Sequence, residues 1–123
     1  MARVAALVPD LLFGSRLQGA MTAAGHELTL LAGVDQLAEL LEGEPVDVLV
    51  VDLTDAALDG AGALVRLRDA GRMGDARSLA FYAHVDVAAR ERAHSAGFDL
   101  VVPRSRIARE AGQLVSQLAA RGG

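Results

Sequence analysis

Apolar residues in this chain come in short unbroken runs, and no other feature constrains the fold as much. Val4-Ala5-Ala6-Leu7-Val8 is one, Val48-Leu49-Val50-Val51 ahead of Asp52 is a second, and Leu79-Ala80-Phe81-Tyr82-Ala83 after Ser78 is a third. A strand with one wet face alternates apolar and polar residues, whereas a strand covered on both faces does not. Such runs, separated by stretches of helical period, call for a parallel sheet with helices packed on both sides.

The stretches between the runs supply those helices. Phe13, Leu17, Ala20, Met21 and Ala24 fall on one helical face, and Gly25 stops it. His26 to Leu31 alternates and reads as an edge strand. Val34, Leu37, Leu40 and Leu41 give a short second helix between Asp35 and Gly43, and Leu64, Val65 and Leu67 a third that ends near Gly71. Thr54 to Gly60 and Arg72-Met73-Gly74-Asp75 read as loop and turn. Val85 to Ala96 is a helix poor in large apolar groups, with Arg90-Glu91-Arg92 exposed and Gly97 as its stop. Phe98 to Val102 is the fifth strand. Ile107, Ala111, Leu114, Val115 and Leu118 mark the last helix. Five strand–helix units predict an α/β, doubly wound, five-stranded parallel sheet in three layers, with strand order 2-1-3-4-5.

A chain of 123 residues fits one domain, taken as 1–123. A domain of this length buries roughly two-thirds of its unfolded surface and needs no metal or disulfide staple. With no cysteine, disulfides, thiol catalysis and Cys-ligated zinc are excluded together. A net charge of −4 and 3% aromatic residues argue against nucleic-acid binding, which wants a basic face and stacking platforms. The first apolar run breaks at Pro9-Asp10, too early for a secretory signal, and no stretch approaches the length of a membrane span. The expected location is therefore the cytoplasm, with no membrane partner.

Asp52 ends the third strand, followed by Leu53 and, after a short loop, Asp59-Gly60. Ala96-Gly97-Phe98-Asp99 precedes the fifth strand, and Gly25 separates the first helix from the second strand. In order and spacing these residues resemble the receiver domain of two-component response regulators, over nearly the whole chain. The resemblance implies that Asp52 is the phosphoacceptor equivalent. It also implies a signalling surface on the fourth helix, fifth strand and fifth helix, around Arg90, Arg92, Val101 and Ile107 to Leu118.

The departures from the family pattern carry as much weight. The two adjacent acids that hold Mg²⁺ in the family correspond to Val8 and Pro9, leaving Asp10 nearby. The Thr or Ser that ends the family's fourth strand corresponds to Ala83, followed by His84. Where the family has Lys-Pro, Pro103-Arg104-Ser105 stands here, so Arg104 is the nearest cation. The family's aromatic switch corresponds to Val101 or Val102. Mg²⁺ takes hard oxygen ligands in near-octahedral array. Asp10 and Asp52 are the only candidates for such a site, and no metal or other cofactor is expected.

The candidate site is thus the rim of the sheet: Asp52, with Asp10, Ala83, His84 and Arg104 around it, and no catalytic residue. Asp52 is expected to bond loop amides or pair with Arg104. Asp86 is expected to cap the fourth helix and Ser105 the fifth, with Arg106 and Arg109 on a solvated face. His94 and His26 lie off the rim, and Tyr82 is expected in the core. Ser15 and Ser78 lack a nucleophile-elbow setting, and Gly60-Ala61-Gly62 lacks the glycine–lysine pattern of a phosphate loop. The expectation is a non-enzymatic, stand-alone pseudo-receiver acting by protein–protein interaction, possessing no output domain and free to self-associate as a homodimer through the fourth helix–fifth strand–fifth helix face. Two other readings remain: a phosphorylatable single-domain response regulator with Asp52 as acceptor, and a small anion- or metal-binding sensor at the rim.

Overall fold

The computed structural model describes residues 1–122. Strands and helices alternate along the chain as β1 (Arg3–Leu7), α1 (Leu11–Ala23), β2 (Glu27–Leu31), α2 (Val34–Gly43) and β3 (Val48–Asp52). There follow α3 (Gly60–Asp69), β4 (Arg77–Tyr82), α4 (Val87–Ala96), β5 (Leu100–Pro103) and α5 (Arg104–Gly122). All strand pairs are parallel, and the order is β2-β1-β3-β4-β5. The expected architecture and topology are therefore observed.

Burial on both faces explains the unbroken runs. Alternate residues of β3 serve two separate cores. Val48 and Val50 pack with Phe13, Leu17, Ile107 and Leu114 on the side of α1 and α5. Leu49 and Val51 pack with Leu37, Leu64, Leu67 and Ala93 on the side of α2, α3 and α4. All five residues of β3 are buried, Asp52 included. Edge strand β2 alternates in burial over its first residues, as an edge strand does. Helix α4 buries only Ala89 and Ala93, in keeping with its lack of large apolar groups. Gly25 and Gly97 follow α1 and α4 with positive φ of 83° and 91°, the left-handed turn that favours glycine.

Several boundaries differ from the sequence reading, each for a local reason. Helix α4 begins at Val87 because Asp86 caps it, accepting from the Ala89 amide at 3.0 Å. Strand β5 begins at Leu100 rather than Phe98. Asp99 instead turns its carboxylate to the Ser78 amide at 2.7 Å, and its own amide donates to Ser78 Oγ at 3.0 Å. Ser105 does not cap α5: the helix leaves β5 without a loop and already includes Arg104. Helix α5 breaks its dihedrals at Glu110, with φ −125° and ψ 17°, so its first turns are set at an angle to the rest.

At the amino edge of the sheet, His26 is a buried fastener. Its Nδ1 accepts from the Ala2 amide at 3.0 Å, which puts the ring hydrogen on Nε2. Nε2 meets Ser116 Oγ at 2.8 Å, and Ser116 donates to the Gly112 carbonyl at 2.9 Å. The start of β1 is thereby tied to α5, at the end of the sheet away from Asp52.

Candidate functional site at the carboxyl edge of the sheet

Strand β3 delivers Asp52 to the rim because the apolar run before it fills both cores up to Val51. The register puts Asp52 opposite Phe81, near the end of β4. Asp52 as a residue is 2% exposed. Its Oδ1 accepts from the Thr54 amide at 2.7 Å and from Thr54 Oγ1 at 2.6 Å. A short residue two positions on supplies both donors, the local turn that Asp and Thr form readily. Of the two partners expected for Asp52, the loop amide is observed and Arg104 is not.

Arg104 instead reaches the head of α1. Its Nη2 lies 3.2 Å from Asp10 Oδ2, and its guanidinium carbon lies 4.2 Å from the centroid of the Phe13 ring. Arginine can do both, since its planar cation forks to a carboxylate and stacks on an aromatic face. Phe13 in turn meets Phe81, with centroids 5.1 Å apart and planes inclined at 44°. The other oxygen of Asp10, Oδ1, caps α1 by accepting from the Phe13 amide at 3.1 Å. That amide holds the Asp10 carboxyl below its ordinary range, and the Arg104 guanidinium adds to the effect.

The other rim positions offer little chemistry. Ala83 lies one residue beyond β4 and carries no hydroxyl. His84 is exposed in the turn before α4, beside Val85, which is 87% exposed. Val102 is buried in the core on the α1 and α5 side, and Val101 packs toward the other. Ser105 is exposed within α5, Arg106 pairs with Glu110 at 3.4 Å, and Arg109 donates to the Ser105 carbonyl. The structure brings Asp10 and Arg104 together, and holds Asp52 in a hydrogen-bonded unit of its own with Thr54. Thr54, Phe13 and Phe81 are the members of the rim that sequence reasoning did not assign to it. The Asp52-Leu53-Thr54 spacing was a usable signal for the first.

The rim carboxylates are not arranged as the oxygen cage that magnesium takes. Val8, in the place of one family acid, is buried in the core. Both oxygens of Asp10 are engaged, one by a helix amide and the other by a cation. Among the described residues no three His, Cys, Asp or Glu side chains stand together to hold a metal. Among the same residues no helix is long and apolar enough to cross a membrane.

No family model matches the sequence, and no curated protein matches it. Solved structures do. The receiver domain of the response regulator TorR of the TMAO respiratory system superimposes with a TM-score of 0.87 at 20% identity, covering 100% of both chains. This chain has the receiver-domain fold. The receiver domain of a Francisella response regulator gives a TM-score of 0.86 at 18% identity, again over 100% of both chains. That of a sensor histidine kinase from Pseudomonas aeruginosa, solved with magnesium in its active-site cleft, gives 0.83 at 17% identity, over 97% of this chain and 98% of that one. At these identities the likeness is one of fold.

Proposed function

We propose that this chain is a receiver-like signalling domain of two-component type that acts in the cytoplasm through protein–protein contact, without phosphorylation of Asp52 and without enzymatic activity of its own. The single observation that carries this reading is the engagement of Asp10. One of its oxygens accepts from the Phe13 amide and the other faces Arg104, so a cation shared with Asp52 would have to compete with both contacts. Phosphoryl transfer to a carboxylate depends on positioning and on neutralising the charge of the moving group. Among the described residues no three acids stand together as a metal cage, the residue after β4 is Ala83, and Arg104, the first cation after β5, is engaged by Asp10 and Phe13. Asp52 has a structural role in the two bonds it accepts from Thr54.

The partner is a protein, or a second copy of the chain, docking on α4, β5 and α5. The test is incubation of the intact chain with Mg²⁺ and a small phosphodonor, read by intact mass. No gain is expected. A gain of one phosphoryl group that disappears in Asp52→Asn refutes the reading and makes the chain a phosphorylatable response regulator.

A further inference from the structure

Arg104 follows β5 directly as the first residue of α5, and its guanidinium is committed to the head of α1. Asp10, its ion-pair partner, is also the cap of α1, so one carboxylate fixes both the first turn of that helix and the cation of the other. Phe13, beneath the guanidinium, bears on Phe81 at the end of β4. A continuous path of contact therefore runs from β4 through α1 to the head of α5. It bypasses the Asp52 carboxylate, whose bonds go to Thr54.

We propose that Arg104 is a standing latch that holds the head of α5 against the head of α1 in one setting, whatever the state of Asp52. It deepens the function proposed above by naming what sets the rim, and it rests on that reading only in the claim that the setting is independent of Asp52. An exposed ion pair alone is worth little, and Asp10 and Arg104 are both about half exposed. The stack on Phe13 adds a contact that salt screens less, and both contacts share one guanidinium. Releasing that group therefore releases both helix heads together. Lysine could keep the charge but not the planar stack. The break at Glu110 separates the first turns of α5 from the rest, so the latched segment can respond apart from the body of the helix.

Amide hydrogen exchange on the full chain tests this, because it reports local opening residue by residue. The reporters are the Phe13 and Gly14 amides, which bond to Asp10, and the Ala108 amide in the first turns of α5. In Arg104→Ala all three are expected to exchange about three- to tenfold faster, the scale of one weak ion pair plus one cation–ring contact. Arg104→Lys should reproduce most of that acceleration. Arg106→Ala, which loses only the pair with Glu110, should act on α5 alone. Asp52→Asn should leave all three reporters unchanged. Unchanged Phe13 and Gly14 amides in Arg104→Ala, or full protection in Arg104→Lys, overturn the latch. A shift at Ala108 in Asp52→Asn, with the Arg104 results as expected, overturns its independence from Asp52. Neither result depends on whether a phosphoryl group can be placed on Asp52, which the mass measurement answers separately.

Discussion

Neutralising Asp52 distinguishes a structural carboxylate from one held under strain for chemistry, because the two give stability changes of opposite sign. Where several acids crowd around a site, removing one charge relieves repulsion and stabilises the fold. Here Asp10 is already paired with Arg104, and Asp52 has two donors from Thr54 at 2.7 and 2.6 Å. Hydrogen bonds to an ionised group are worth about 1.5–3 kcal/mol each. Against them stands the cost of holding the carboxylate of a residue that is only 2% exposed, which is on the order of several kcal/mol. Thr54 is half-buried, so its freed donors can take water and the loss is softened. The balance predicts that Asp52→Ala loses about 1–2 kcal/mol, or roughly 3–8 °C in melting temperature for a domain of this size. Asp52→Asn keeps an oxygen where Thr54 donates and should stay within about 1 kcal/mol of the parent. Urea unfolding of the parent, both variants and Thr54→Val measures this, with equal m-values required for the comparison. Stabilisation by about 1 kcal/mol or more in Asp52→Asn or Asp52→Ala would mean instead that the carboxylate sits under repulsion.

Two further outcomes follow from other contacts. A Cβ on Gly112 would stand 2.5 Å from the Ala24 Cβ and 3.5 Å from the Ala20 carbonyl, so Gly112→Ala must push α5 off α1. Overpacking of about 1–3 kcal/mol outweighs a gain of about 1 kcal/mol in helix propensity, and thermal unfolding that shows no loss would mean that the two helices part freely. The Asp10 carboxyl is held below its ordinary value of 3.8 by the Phe13 amide and Arg104, so its contribution is fully present above that value and is lost as pH falls through the lower folded one. Asp10→Asn, which still caps α1, should flatten that acid limb of the stability–pH curve, and a limb as steep as the parent's would show that Asp10 does not cause it.

The strands were legible because burial on two faces leaves a mark that composition alone cannot imitate. Val48 to Val51 divides between two cores, and every position must therefore be apolar. The boundaries failed where a polar side chain took over backbone duties. Phe98 is buried and stands two residues ahead of Leu100-Val101-Val102, so it reads as strand. It nevertheless packs from the turn, because Asp99 bonds sideways to Ser78 before β5 starts. Ser105 has the right residue type for a cap, but α5 follows β5 so directly that the helix has already begun at Arg104. The fastening role of His26 left no mark in the alternation of its strand, since its partners are an amide 24 residues before it and a hydroxyl 90 residues after it.

At the rim, spacing located the participants but not their pairing, and the reason lies in Phe13. Helical period places this residue in the core, and it is 6% exposed. What period does not convey is which face of the ring remains available at the sheet's end. That face is the platform on which Arg104 lies, and with Asp10 beside it the cation gains a stack and a carboxylate in one position. Asp52 offers only a carboxylate, and Thr54 already satisfies one of its oxygens from two residues away, at almost no cost in chain ordering. Two local preferences thus decide a long-range choice: the short turn at Asp52-Leu53-Thr54 satisfies the acid nearer in sequence to its donors, and the aromatic ring at the head of α1 draws the arginine to the other. Replacing Phe13 by an aliphatic residue removes the platform while leaving the period intact, so the pairing of Arg104 is set by ring chemistry that the hydrophobic pattern is blind to.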